Sequence, residues 1–314
     1  MLNLVVRRLL AVVPLLFLVT FLAYGMILFI PGDPAIAIAG ENATAEQVEA
    51  TRERLGLNDP FIVQYGQWIG DAVRGDFGES LFTRRSVREA IFERLPVTIA
   101  LTTAALALAV VVAIPAGILS ALRRGSWIDR ATTTTATVGV AMPNFWLGLL
   151  LVLFFAINNR WLPAIGYVPF TEDPVTWAKH IALPAIALGA AACAEVTRQL
   201  RSAVIDVVEQ DYVRTARAKG LRMRKVMAKH VLKNAAVPVV TVLGLQVTRL
   251  LGGAVIIEQV FALPGLGQLA VLAVFDRDVP MILGVVLVAS VIAVAVNLLV
   301  DLSYGWFNPK VRPR

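Results

Sequence analysis

Residues 211–238 read DYVRTARAKGLRMRKVMAKHVLKNAAVP, a basic stretch punctuated by Gly220 and lodged between two long apolar runs, residues 181–204 and 235–260. A block so rich in charge stays outside a bilayer, and the runs beside it are long enough to cross one. Composition agrees. The 314 residues are 58% hydrophobic and 16% charged, with a mean hydropathy of +0.73. That is too little polar material to cover a soluble core, so lipid is the expected solvent. With about 20 mainly apolar residues needed per membrane helix, six spans are expected, near residues 9–30, 97–122, 131–157, 181–204, 235–260 and 281–302. The fold class is all-α: a polytopic membrane protein of six transmembrane helices, with a small helical extracytoplasmic segment between the first and second spans. The expected division is an N-terminus and first span (1–30), an extracytoplasmic helical segment (31–96) and a five-span core (97–314) holding a cytoplasmic loop at 205–234.

Orientation follows from Lys and Arg, which cytoplasmic loops retain. An inside amino terminus makes Arg7 and Arg8 cytoplasmic, then Arg123, Arg124 and Arg130, then the cluster from Arg198 to Lys233, and last Lys310, Arg312 and Arg314. In residues 31–96 the acidic side chains, Glu46, Asp71 and Glu93 among them, outnumber Arg52, Arg74, Arg85 and the other basic ones. Both termini are therefore expected in the cytoplasm. The net charge of +7 belongs mostly to these inner loops, where it sets topology and meets anionic lipid; it is no sign of nucleic-acid binding. The first apolar run is too long for a cleaved signal peptide, and no small-residue cleavage site precedes Pro31-Gly32-Asp33-Pro34, so it is read as an anchor. Cys193 is the only cysteine. It excludes an internal disulfide and reads as a small packing residue.

In the first loop, Thr44 with Gln47 makes a capping-box signature, and Val48, Thr51 and Leu55 then share a helical face before Gly56. A second helix is expected to start with Asp59 as cap and Pro60 at its first position, burying Ile62, Tyr65 and Ile69. Ser86 with Glu89 caps a third, with Val87, Ile91 and Leu95 at four-residue spacing. These helices are too small for a core of their own; they are expected to pack on the outer mouth of the spans or lie at headgroup level. In the inner loop, Tyr212 to Lys219 is a run of good helix formers with Asp211 as a cap, and Gly220 supplies the left-handed conformation that ends it. A second helix follows, with Met223, Met227 and Val231 on one face. Physics leaves two readings of this projection: a rigid element that passes motion from a soluble partner into the bilayer, or a basic hairpin resting on anionic lipid.

Tyr212-Val213-Arg214-Thr215-Ala216-Arg217-Ala218-Lys219-Gly220-Leu221, with His230, Asn234 and Pro238 after it, resembles the cytoplasmic EAA loop of ABC-importer permeases, specifically the B-type subunit of dipeptide and oligopeptide importers. Further matches run along nearly the whole chain: Pro31-Gly32-Asp33-Pro34, Leu55-Gly56-Leu57 with Asp59-Pro60, Gly75-Asp76-Phe77-Gly78-Glu79-Ser80, Arg94-Leu95-Pro96, Pro143 with Phe145-Trp146, His180 with Leu183-Pro184, Glu258 with Phe261 and Pro264-Gly265-Leu266-Gly267, and Asn308-Pro309. The resemblance implies an ABC type I importer permease-like fold and a coupling helix seated in a groove of an ATPase subunit. Tyr212, Arg214, Thr215, Ala216, Arg217, Ala218, Lys219 and Gly220 are then the coupling residues. Arg214-Thr215-Ala216 stands in the Glu-Ala-Ala place, with Arg214 replacing the acid, and Lys233 stands where proline would close the motif. The implied partners are a homologous second permease forming a heterodimer, two ATPase subunits or one fused ATPase, an extracytoplasmic solute-binding protein or lipoprotein, and membrane lipid. The cofactors, ATP and Mg, belong to the ATPase and none to this chain. The implied location is the plasma (inner) membrane of a bacterium or archaeon. Peptides are the expected cargo, with nickel chelates, glutathione or haem as alternatives within the family.

For the translocation path, Arg249 lies inside an apolar span, where an ionised side chain costs several kcal/mol unless it meets water or a counter-charge. Glu195, the acid nearest the middle of another span, is its expected partner, either as substrate contact and gate or as a helix-fixing ion pair. Glu258 is placed at the outer mouth as a gate, with Pro264, Gly265 and Gly267 as a dock for the binding protein or as a structural turn. Thr132 to Thr135 with Thr137 and Gly139 read as a pore lining or, the favoured reading, as a thread for close helix packing, and Pro115, Pro143 and Pro184 are expected to break or kink their spans. The chain carries no Walker-type glycine loop, HExxH site or nucleophile elbow, which fits a non-catalytic membrane subunit. A secondary transporter would show midplane carboxylates and paired broken helices in repeated halves. His180 and His230 fall on opposite sides of the membrane in this topology, so each is expected to make local hydrogen bonds rather than bind metal.

Overall fold

The computed structural model describes residues 2–26, 34–39, 43–54 and 56–307. Pro31, Gly32, Asp33, Leu55, Asn308 and Pro309 of the motifs above, and Lys310, Arg312 and Arg314, lie outside them. The described residues form helices α1 (Leu2–Gly25), α2 (Pro34–Ala39), α3 (Ala45–Arg54), α4 (Phe61–Val73), α5 (Val87–Leu122), α6 (Trp127–Ala141), α7 (Asn144–Leu151), α8 (Pro174–Val208), α9 (Asp211–Ala218), α10 (Met223–Val226), α11 (Leu232–Val260), α12 (Leu266–Phe275) and α13 (Val279–Phe307). Among them the single β contact is an antiparallel bridge between Glu79 and Ser86.

Four helices are long and apolar enough to cross a membrane: α5, α8, the continuous run Met223–Val260 and the Val279–Val300 part of α13. At ~1.5 Å per residue, the 36 residues of α5 reach ~54 Å against a hydrocarbon layer of ~30 Å. Its ends therefore stand clear of the lipid tails. The third expected span is not one rod, because α6 and α7 meet at 106° across Met142 and Pro143. Proline lacks an amide donor and drives the residue before it out of helical geometry; Met142 accordingly has ψ 128°. Counting that pair as one crossing gives five. The first expected span runs from α1 into residues outside the described set, and Arg7 and Arg8 fall within α1.

Pro115 and Pro184 interrupt neither α5 nor α8. Pro96 does not end a helix either. The expected third short helix and the second span are the single helix α5, so what looked like a loop element is one end of a long apolar helix.

Two compact units emerge. In the larger, residues 97–268 and 293–314 among others, α5 offers Val97, Leu101, Ala105 and Ala109 at four-residue spacing, a stripe along one helix face. Leu183, Ala187 and Leu188 of α8 and Leu250, Ala254 and Ile257 of α11 close that core. Small residues set the helix spacing: a Cβ added to Gly189 would stand 2.7 Å from the Ala105 carbonyl oxygen. Asp173 starts α8, accepting from the amides of Val175 (2.9 Å) and Thr176 (3.1 Å). The Thr176 hydroxyl and amide hold its carboxyl below the usual carboxylate range.

The smaller unit, residues 6–96 and 269–292, is built on aromatics. Phe17, Phe21 and Tyr24 of α1 meet Phe61, Tyr65 and Trp68 of α4, with Phe21 and Tyr65 edge-to-face at 5.2 Å and Thr20 and Tyr65 sharing a hydrogen bond at 2.9 Å. The capping box holds: the Thr44 amide donates to Gln47 Oε1 at 2.9 Å, and the Gln47 amide to Thr44 Oγ1 at 3.3 Å. Helix α4 begins one residue later than expected, with Pro60 at its cap and no side-chain bond from Asp59. Tyr65 is buried as expected, Ile69 is half-buried and Ile62 is exposed. Buried Asp278 holds the 75–80 loop, accepting from the Ser80 hydroxyl and from the Leu81 amide at 3.2 Å.

Candidate functional site

The charged projection at residues 211–222 is built as a docked helix. In α9, Val213 is fully buried and Ala216 nearly so, against Val204 of α8 and Val226, Met227 and Val231 of the following run. Burying a valine side chain stabilises by about 1.5–3 kcal/mol, enough to seat a helix of eight residues that would not persist alone. The opposite face is exposed: Tyr212, Arg214, Thr215, Arg217, Ala218, Lys219 and Gly220. Arg214 pairs loosely with Asp211 at 3.5 Å. Asp211 is the first helical residue rather than the cap, which is Gln210.

Gly220 ends α9 as expected, with φ +79°. The Gly220 amide donates to the Arg217 carbonyl (2.9 Å) and the Leu221 amide to the Ala216 carbonyl (3.3 Å), the paired bonds of a Schellman stop. The second helix of the loop is the lower end of the fifth expected span. It runs from Met223 through a π-type turn at Met227–Val231 into α11. Asn234 ties the two arms, donating to the Tyr212 hydroxyl at 3.0 Å and to the His230 carbonyl at 2.8 Å. His180 likewise bonds within its own helix, to the Thr176 carbonyl at 2.9 Å.

At the other end of α11, Glu258 is fully buried. Thr98 Oγ1 of α5 donates to its Oε1 at 2.6 Å and the Gln268 amide to its Oε2 at 3.0 Å, while Thr98 Oγ1 also accepts from the Leu266 amide at 2.8 Å. The Pro264-Gly265-Leu266-Gly267 turn is folded over this carboxylate. A Cβ at Gly265 would collide with the Glu258 carboxyl, and one at Gly267 with the Val255 backbone. The glycines are there because the chain passes too close for side chains. The arrangement corrects the expected surface: Gly265 and Gly267 are buried, Pro264 is half-buried, and Glu258 faces the turn rather than open space.

Midway along the spans, Glu195 and Arg249 line one cavity of about 190 Å³, together with Asn144 and Gln246. They do not form the expected ion pair. The Glu195 carboxylate is taken by Arg198, one turn along α8, because an i,i+3 neighbour on the same helix is closer than a partner on another.

Sequence reasoning missed one cluster. Asp129, near the start of α6, is 5% exposed. It accepts from Ser120 Oγ of α5 (2.5 Å), from the Gly125 amide (2.9 Å), and from both Nε (2.6 Å) and an Nη (2.8 Å) of Arg201 on α8. The signal available was Ser126-x-x-Asp129 as a helix start; nothing local points to Arg201.

A polytopic all-α chain with a docked helix projecting between two spans has the build of a transport permease. The chain belongs to the binding-protein-dependent transport system inner membrane components: that family's model matches residues 113–313, and the N-terminal model of the same transport systems matches residues 1–102. It is 42% identical over 309 residues to a Brucella abortus protein named as a peptide transport system permease, covering 98% of each chain. It is 43% identical over 312 residues to the glutathione transport system permease protein GsiC of Escherichia coli, covering 99% of each. A chain of the MetNI methionine ABC transporter shares the fold, with a TM-score of 0.56 at 18% identity over 70% of this chain and 96% of that one. The protein is thus a multi-pass membrane permease of an ABC importer, a non-catalytic subunit that works with an ATPase and a binding protein.

Proposed function

We propose that this chain is one half of the passage of an ATP-driven peptide importer, paired with a homologous second permease. Two ATPase domains, separate or fused, bind ATP and Mg on the cytoplasmic side, and a solute-binding protein delivers cargo outside. Both termini face the cytoplasm of a bacterial or archaeal cell, bounded by the plasma membrane that holds the chain. Domain assignment follows the same reading: a first span, an extracytoplasmic segment and a core carrying the coupling loop. The observation that carries the coupling role is the geometry of α9, one face packed into the core and the other, from Tyr212 to Gly220, left open for a partner. Closure of the ATPase pair pushes that face, and the buried Val213 and Ala216 pass the push to the spans.

Gly220→Pro removes the amide bond to Arg217 and the left-handed stop together. It is expected to abolish uptake and uncouple ATP hydrolysis while the chain still inserts; deletion of residues 214–220 should do the same. Unchanged uptake overturns the coupling role. The likeness to GsiC makes glutathione, itself a tripeptide, the second cargo reading. Competition of labelled dipeptide uptake by glutathione separates the two.

A further inference from the structure

We propose that the cavity lined by Asn144, Glu195, Gln246 and Arg249 binds the carboxylate end of a peptide in transit, Arg249 taking the carboxylate and the two amides the last peptide group. The inference rests on the peptide-import reading and gives that passage a site.

The wall is made by helix periodicity. Leu188, Ala191, Ala192 and Glu195 follow one face of α8, and Gln246, Arg249 and Leu250 one face of α11. Asn144 is the first residue of α7, brought there by the bend after Pro143. Alanines on α8 leave the space that polar side chains fill.

Among the described residues three of these four polar groups, Gln246, Asn144 and Arg249, have no side-chain partner in the protein. Gln246 is 4% exposed, yet among the described residues its amide makes no hydrogen bond. Neither does the Asn144 amide, and Arg249 forms no ion pair. A buried polar group left unsatisfied costs about 1–3 kcal/mol, and a charge within a span more. Gln246 is such a group at the cavity wall, and the half-buried Asn144 and exposed Arg249 beside it leave their polar atoms open to a ligand.

Charge then selects which end of a peptide fits. Glu195 is neutralised by Arg198, so Arg249 leaves the cavity net positive. An incoming ammonium would find the only carboxylate engaged, whereas a carboxylate meets a free planar guanidinium able to bind it with two parallel bonds. Gln246 and Asn144 each offer a donor and an acceptor, the complement of a peptide N–H and C=O. Size agrees: about 190 Å³ is below the ~300–1,000 Å³ of sites that enclose whole ligands, so the cavity takes an end. Recognition of a feature common to all peptides leaves side chains unread.

The test uses the whole transporter in proteoliposomes with Cys193→Ala, which empties this chain of thiols, and Gln246→Cys. The probes are the anionic ethylsulfonate and the cationic ethyltrimethylammonium methanethiosulfonates, with labelling of this chain read by mass spectrometry. The anionic reagent should react about tenfold faster than the cationic one, relative to a free thiol. Trialanine should protect where trialanine amide does not, and Arg249→Gln should erase the preference. Equal rates, a cationic preference, or protection by both peptides overturns the proposal. Asn144→Cys, on another wall, repeats the measurement if Gln246→Cys does not assemble. Failure of the unsubstituted transporter to take up trialanine would refute peptide import instead, and the charge preference would still report on the cavity.

Discussion

Asp129 shows how much one side chain can gather. Its two oxygens accept from Ser120, Gly125 and the fork of Arg201, joining α5, α6 and α8. Removing one partner of a buried pair costs about 3–5 kcal/mol; the Arg201 side chain is 28% exposed, so water offsets part of that and about 1–3 kcal/mol is the expected loss. Asp129→Ala and Arg201→Ala should each lower the unfolding midpoint in detergent, Arg201→Lys by less, and the double variant by clearly less than the sum. Additive losses would mean that the two do not act as a pair. Arg201 was read only as one of many inner-loop cations, since charge bias reports the side of the membrane and not the partner. The same limit applied to Glu195, whose nearest cation lay on its own helix, and to Glu258, whose burial depends on how a glycine turn closes over it.

Helices were the legible level. Capping at Thr44, the stop at Gly220 and the break at Pro143 follow from local chemistry that the sequence states outright. Pro96, Pro115 and Pro184 carried the same local warning and were overruled, because packing within long helices outweighs one missing amide bond. At this scale α9 is the element to disturb. Val213→Asp places an unpaired carboxylate in a fully buried position, at a cost of several kcal/mol, without altering the exposed face. The helix should undock, cutting uptake by more than about tenfold, on the ~1.4 kcal/mol per decade scale, while ATPase still copurifies with the permease. Normal uptake would show that the seating of α9 transmits nothing.

Across the molecule, hydropathy announced a membrane protein, and four spans with a broken fifth are seen among the described residues. Sidedness rests on Lys and Arg counts, so it has its own check. Alkaline phosphatase fused after Gly166 should be active, being exported, whereas fusions after Gly125 or Gly220 should be silent. The reverse pattern would invert the topology and place α9 beyond the reach of any ATPase.

Helix α5 bears Thr98, tethered to the glycine turn, and Ser120, tethered to Asp129. The two hydroxyls sit ~33 Å apart along one uninterrupted axis. A stiff beam that tips about its middle carries its ends in opposite directions. A tilt of that kind would pull the two knots in opposite senses, so one stiff helix links the glycine turn to the Asp129 cluster.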